Sequence, residues 1–89
     1  MTAQVRIRVY STAFCGYCER AKALLTRKGL AFTEIRVDDE PGQREEMLRL
    51  SGGRRTVPQI FIGDRHVGGF DDLYALDRSG GLDSLTGTG

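Results

Sequence analysis

Apolar and polar positions alternate at the start of the chain, where Val5, Ile7 and Val9 interleave with Arg6, Arg8 and Tyr10. Period two predicts a β-strand with one apolar face. The period then lengthens. Ala21, Leu24 and Leu25 recur at helical spacing among Glu19, Arg20, Lys22 and Arg27, and Gly29 supplies a stop. Phe32, Ile35 and Val37 predict a second short strand. Pro41 stands where a helix can begin, behind the acidic run Asp38 to Glu40. Met47, Leu48 and Leu50 give that helix an apolar side, and Gly52-Gly53 ends it. Val57 to Ile62 is rich in β-formers and predicts a third strand. Gly63-Asp64 reads as a turn, with Arg65-His66-Val67 pairing back as a hairpin. After Gly68-Gly69, Asp71 is a candidate N-cap for a last helix carrying Leu73, Tyr74 and Leu76, closed by Gly80-Gly81. Residues 82–89 are expected to be a frayed tail.

The order β-α-β-α-β-β-α describes a single α/β domain over residues 1–89, a four-stranded mixed sheet flanked by three helices. Strand–helix–strand units imply parallel pairing with right-handed crossovers, and the closing hairpin adds an antiparallel pair. Arg6 and Arg8 sit awkwardly in a strand covered on both faces. Either one face is only partly covered or the arginines snorkel.

Composition narrows the function classes. A chain of 89 residues has room for one modest core. A formal net charge of +1 gives no argument for a nucleic-acid or membrane partner. Basic residues crowd the first third of the chain and acidic ones follow, so a site bordered by the basic stretch would favour anionic substrates. No apolar run is long enough to span a bilayer. Met1-Thr2-Ala3-Gln4 leads straight into the strand pattern, so a cytoplasmic protein without a leader is expected, in a compartment that keeps thiols reduced.

Cys15-Gly16-Tyr17-Cys18 is the sharpest chemical feature. It follows the first strand and opens the first helix, the context in which C-x-x-C signals redox chemistry. Free N–H groups and the dipole at a helix N-terminus favour a thiolate at Cys15. Cys18 lies one turn on, on the same side, where it can attack a mixed disulfide formed at Cys15. Cys15 is therefore the expected nucleophile and Cys18 the more covered resolving thiol. A purely structural disulfide would close a two-residue loop and staple little. A zinc site would need four ligands, and beyond the cysteines only His66 is a usual soft ligand. His66 itself reads as a surface hairpin residue. Tyr10, Phe14, Phe32 and Phe61 are expected in the core, and Tyr17 exposed, where it can pack on a bound thiol.

Three motifs in this order and at these separations carry a resemblance over nearly the whole chain: Cys15-Gly16-Tyr17-Cys18, Thr56-Val57-Pro58 and Gly68-Gly69-Phe70-Asp71-Asp72. The chain resembles the glutaredoxins, in particular small bacterial dithiol members. The resemblance implies a thioredoxin-like fold and glutathione-dependent reduction of protein disulfides and glutathione mixed disulfides. It implies a potential of about −200 to −230 mV. It also implies a glutathione site. Pro58 would be cis and would present the Val57 backbone to the cysteinyl part of glutathione, with Thr56 at the edge of the same groove. The Gly68-Gly69 turn would let backbone come close. The N–H groups of Phe70 and Asp71 would hold the γ-glutamyl carboxylate, and the Asp72 side chain the ammonium.

Two departures from the family pattern matter. Gly16 stands where proline is usual, which loosens the loop. Some relatives with glycine or serine there hold a [2Fe–2S] cluster between two monomers through the nucleophilic cysteine and glutathione. Cluster carriage, with Cys15 as the ligand, is thus an alternative expectation. Second, no lysine precedes Cys15 in Ser11 to Phe14. Arg44 is the nearest match for a cation at the glycyl carboxylate of glutathione, with Arg54 and Arg55 as alternatives in a loop one residue longer than usual. A branch fed by thioredoxin reductase is a third reading, against which Asp71-Asp72 argues. A monomer is expected, with glutathione and disulfide-bonded or glutathionylated proteins as its partners.

Overall fold

A computed structural model describes residues 5–86. The elements follow as β1 (Ile7–Ser11), α1 (Gly16–Arg27), β2 (Thr33–Arg36), α2 (Gln43–Leu50), β3 (Gln59–Ile62), β4 (Arg65–Gly68), α3 (Phe70–Arg78) and α4 (Gly81–Thr86). The strands form one mixed sheet in the order β2-β1-β3-β4. β1 runs parallel to β2 and antiparallel to β3, so Val9 lies between Glu34 and Ile60. β4 pairs antiparallel to β3, with a register shift between Ile60 and Phe61. The second strand–helix–strand unit therefore does not make the parallel pair its pattern implied. α2 carries the chain past β1, and β3 enters on the far side of that strand in the opposite direction.

Alternation along β1 sorts two cores. Ile7 and Val9 pack with Ile60 and Ile62 against Ala21, Leu24 and Leu25 of α1, Leu73 of α3 and Leu82 of α4. Burying each of the leucines contributes about 1.5–3 kcal/mol. Tyr10 and Phe61 point the other way and pack with Val37, just after β2, and with Met47 of α2. Their rings meet edge-on at 5.5 Å. α2 is only eight residues long, so this face is partly open. Arg8 covers the gap: its guanidinium lies 5.1 Å from the Phe61 ring centre, and Nη1 donates to the Tyr10 hydroxyl at 3.3 Å. Arg6 is exposed.

Three local expectations are corrected. Residues 81–86 form a fourth helix rather than a frayed tail, because Leu82 and Thr86 bury against the core; residues 87–89 of that tail lie outside the described residues. Lys28 adds an ion pair to Asp83 of α4 and another to Asp77 of α3, each at 3.0 Å. The N-cap of α3 is Gly69, with Asp71 inside the first turn. Phe14, expected in the core, is fully exposed. Its φ of 57° turns the chain sharply ahead of α1 and swings the ring outward. No helix among the described residues is long and apolar enough to cross a membrane.

Candidate active site

The loop leading into α1 is tied down from outside. The Ala13 N–H donates to Asp38 Oδ2 at 3.0 Å, and Arg36 holds that carboxylate through two hydrogen bonds of 3.0 Å. The Arg36 guanidinium keeps the Asp38 carboxyl well below the usual carboxylate range. Cys15 is the N-cap of α1, in extended conformation. Its Sγ takes the acceptor role that serine or aspartate fills in other caps, receiving the Cys18 N–H at 3.2 Å. A sulphur in this place gains most from that bond and from the helix dipole when it is anionic.

Cys18 differs in every respect. It is fully buried, whereas Cys15 is partly exposed. Burial, followed by its hydrogen bond with Cys15, pushes the Cys18 thiol up to about 12, against opposing contributions from the Thr12 backbone and Lys22. The pair is thus split into a partly exposed sulphur at the helix cap and a covered one held as a neutral thiol. Lys22, one turn further, bridges Glu19 at 2.6 Å and Glu34 at 2.9 Å. Glu34 also accepts from the buried Ser11 hydroxyl at 2.7 Å.

A groove of about 240 Å³ opens beside the cysteines, lined by Tyr17, Arg54, Thr56, Val57, Pro58 and Gly69 to Asp72. The Val57–Pro58 peptide is cis. The Val57 carbonyl oxygen lies 3.9 Å from Cys15 Sγ, so the partly exposed sulphur sits beside this wall of the groove. The opposite wall is the start of α3, where the peptide N–H groups of the first turn lack intrahelical partners. Asp72 Oδ2 accepts the Gly69 N–H at 3.0 Å. Gly68 makes that contact possible. Its φ is 120°, and a Cβ there would sit 2.2 Å from Asp72 Oδ2.

Of the groove residues anticipated from the sequence, Tyr17, Thr56, Val57, Pro58 and Gly69 to Asp72 line this cavity, Arg55 does not, and neither does Arg44. That residue is on α2, outside it, and Arg54 of the loop after α2 lines the groove instead, 3.9 Å from Asp72 Oδ2. One feature escaped the sequence reading. Gln59 is fully buried and donates through Nε2 to the Thr56 carbonyl at 2.9 Å and the Thr56 hydroxyl at 3.2 Å. Its Oε1 lies 2.6 Å from His66 Nε2, which therefore carries the proton. His66 stacks on Phe61 at 4.8 Å rather than standing free on the hairpin. Burial pushes its pKa below the ordinary value. A single polar residue inside the apolar run Val57 to Ile62 was the available signal.

A partly exposed thiol capping a helix, with a buried thiol one turn behind it and a cis-proline groove alongside, defines a thiol–disulfide oxidoreductase of thioredoxin-like architecture. Comparison with known proteins agrees. The glutaredoxin family model matches residues 7–67. Glutaredoxin 3 of Escherichia coli strain K12 is 56% identical over 79 residues, covering 89% of this chain and 94% of that protein. The solution structure of glutaredoxin from Brucella melitensis superposes with a TM-score of 0.82 at 54% identity, covering 98% of this chain and 94% of that one. A crystal structure of a buckwheat glutaredoxin–glutathione complex superposes with a TM-score of 0.81 at 36% identity, covering 90% and 74%. The chain belongs to the glutaredoxin family, the glutathione-dependent thiol–disulfide oxidoreductases.

Proposed function

We propose that the groove holds glutathione and that the enzyme reduces glutathionylated proteins and protein disulfides with Cys15 as nucleophile. The observation that carries this reading is the approach of Cys15 Sγ to Val57 on one wall of the groove, with a helix N-terminus and Asp72 along the other. The Val57 backbone would pair with the cysteinyl part of glutathione, beside Thr56, bringing its sulphur to Cys15. The Phe70 and Asp71 N–H groups would receive the γ-glutamyl carboxylate, and Asp72 the ammonium. Tyr17, Pro58 and Gly69 form the walls. Arg54, rather than Arg44, is the cation available to a glutathione carboxylate, because it lines the groove.

Cys15 thiolate attacks the glutathione sulphur of a mixed disulfide and releases the protein thiol. A second glutathione then attacks the Cys15–glutathione disulfide and regenerates the enzyme as glutathione disulfide leaves. With a protein disulfide, Cys18 resolves the Cys15–protein intermediate instead, giving up its proton as the new bond forms. Such a cycle suits the cytoplasm, where glutathione keeps thiols reduced.

The test is turnover of a small glutathione mixed disulfide, coupled to glutathione reductase and NADPH. Cys15→Ser is expected to lose all activity. Cys18→Ser is expected to keep it while losing reduction of protein disulfides. Loss of both activities in Cys18→Ser overturns the one-cysteine route.

Cluster carriage is a second reading, favoured by Gly16: that position is exposed, and a Cβ there meets nothing within 4 Å, so the face around Cys15 is open to a second chain. Among the described residues no group of three His, Cys, Asp or Glu gathers for a metal. One chain would contribute Cys15 alone, and a second chain with glutathione the rest. Visible absorbance bands in a dimer purified without oxygen support this reading, and a colourless monomer overturns it.

A further inference from the structure

Beside the groove, five side chains form a continuous stack. The Arg20 guanidinium lies 5.4 Å from the Tyr17 ring centre. Tyr17 and Phe70 are 6.3 Å apart and tilted by 33°, and Phe70 and Tyr74 are 6.0 Å apart and tilted by 29°. Arg78 closes the stack, 5.7 Å from the Tyr74 ring centre and hydrogen-bonded to its hydroxyl at 3.1 Å. Tyr17 and Tyr74 are 57% and 45% exposed, and both arginines are exposed. Tyr17 and Phe70 also line the groove, whereas Arg20, Tyr74 and Arg78 lie outside it.

The charge at each end of the stack is uncompensated. Glu19, next to Arg20 in sequence, is engaged by Lys22 at 2.6 Å. Asp77, next to Arg78, is engaged by Lys28 at 3.0 Å. Among the described residues neither Arg20 nor Arg78 is paired with a carboxylate. A guanidinium lying against a ring face keeps edge N–H donors free for a carboxylate. The surface is therefore an apolar strip with a positive group at each end, starting two residues from the reactive sulphur.

We propose that this stack receives the protein half of a glutathionylated substrate and selects segments in which apolar side chains near the modified cysteine are flanked by acidic residues. The proposal rests on the glutathione reading above. With glutathione filling the groove, the protein half must lie on the surface beside it, and the stack adjoins the groove through Tyr17 and Phe70. The chemistry is redox-neutral exchange. Cys15 thiolate forms a bond to the glutathione sulphur as the glutathione–protein bond breaks, and the electron pair leaves on the protein sulphur, which takes a proton from water. Cys15 is oxidised to the mixed disulfide as the protein cysteine is reduced. The stack acts in recognition only.

Two glutathionylated peptides test this, each with leucine beside the cysteine and flanked by Glu in one and Lys in the other. Wild type and the double variant Arg20→Glu/Arg78→Glu are compared, with the mixed disulfide of glutathione and cysteine as a small substrate. Wild type is expected to prefer the acidic peptide by about tenfold in kcat/KM at low salt. The preference should shrink as salt is raised. The variant is expected to lose or reverse it while turning over the small substrate within about twofold of wild type. Equal use of both peptides by wild type that still turns over the small substrate overturns the stack proposal alone. No turnover of the small substrate by wild type overturns the glutathione reading, and this proposal with it. Parallel loss of small-substrate and peptide turnover in the variant also refutes a docking role.

Discussion

Cys18 gives the most direct test of how burial divides labour between two cysteines three positions apart. An unhindered thiol with the ordinary value of 9.0 is about one-tenth ionised at pH 8. A thiol pushed to about 12 is ionised to about one part in ten thousand there. Thiolate population alone thus slows Cys18 about a thousandfold. A more basic thiolate is intrinsically more nucleophilic, and a Brønsted slope of about 0.4–0.5 returns about twentyfold. The net expectation is reaction about fiftyfold slower than an unstructured cysteine peptide, before the full burial of the sulphur slows it further. The assay is a time course with iodoacetamide at pH 8, read by mass spectrometry. Cys15 and Cys18 share the tryptic peptide between Arg8 and Arg20, so fragment ions must assign the site. Labelling of Cys18 within a few-fold of the free peptide refutes the argument. The same burial sets a stability trend. The native state favours the neutral thiol, so the contribution is present below the unfolded value and is lost as pH rises from about 9 toward about 12. Cys18→Ala should flatten that alkaline loss.

Gly68→Ala should displace Asp72, since the new Cβ would fall 2.2 Å from its Oδ2; thermal unfolding should show a loss of about 1–3 kcal/mol, and KM for glutathione should rise. Unchanged KM would mean that Asp72 does not meet glutathione. Lys28→Met should lower the melting temperature and raise hydrogen exchange in α4, because one ammonium ties Asp77 and Asp83 to the end of α1. His66 is held below its ordinary value by burial, so its contribution is present above pH 6.5 and is lost as pH falls below that. Urea unfolding should therefore weaken from pH 7 to pH 5 more steeply in wild type than in His66→Gln.

Local pattern carried much of this protein. The alternation of Ile7 and Val9 with Arg8 and Tyr10, the spacing of Ala21, Leu24 and Leu25, and the glycine breaks between elements reflect short-range geometry, which is written residue by residue. Cys15 and Cys18 were legible for the same reason, since a helix start and a one-turn spacing are local facts. Contacts between distant segments were not. The amphipathic closing helix is too short to stand alone, and it forms only where Leu82 finds the core and Lys28 finds Asp83. Phe14 looked like a core residue until the turn into α1 pointed it at solvent. Gln59 gave no sign of its role within the predicted third strand, because Thr56 and His66 meet its two ends only in the folded chain. Sequence by itself determined the elements up to α3, their order and the two cysteines that open α1. Tertiary structure decided that Arg54 rather than Arg44 reaches the groove and that β3 runs antiparallel to β1. It also decided that one sulphur is covered while the other is presented, because burial and charge pairing depend on which segments meet and not on their separation along the chain.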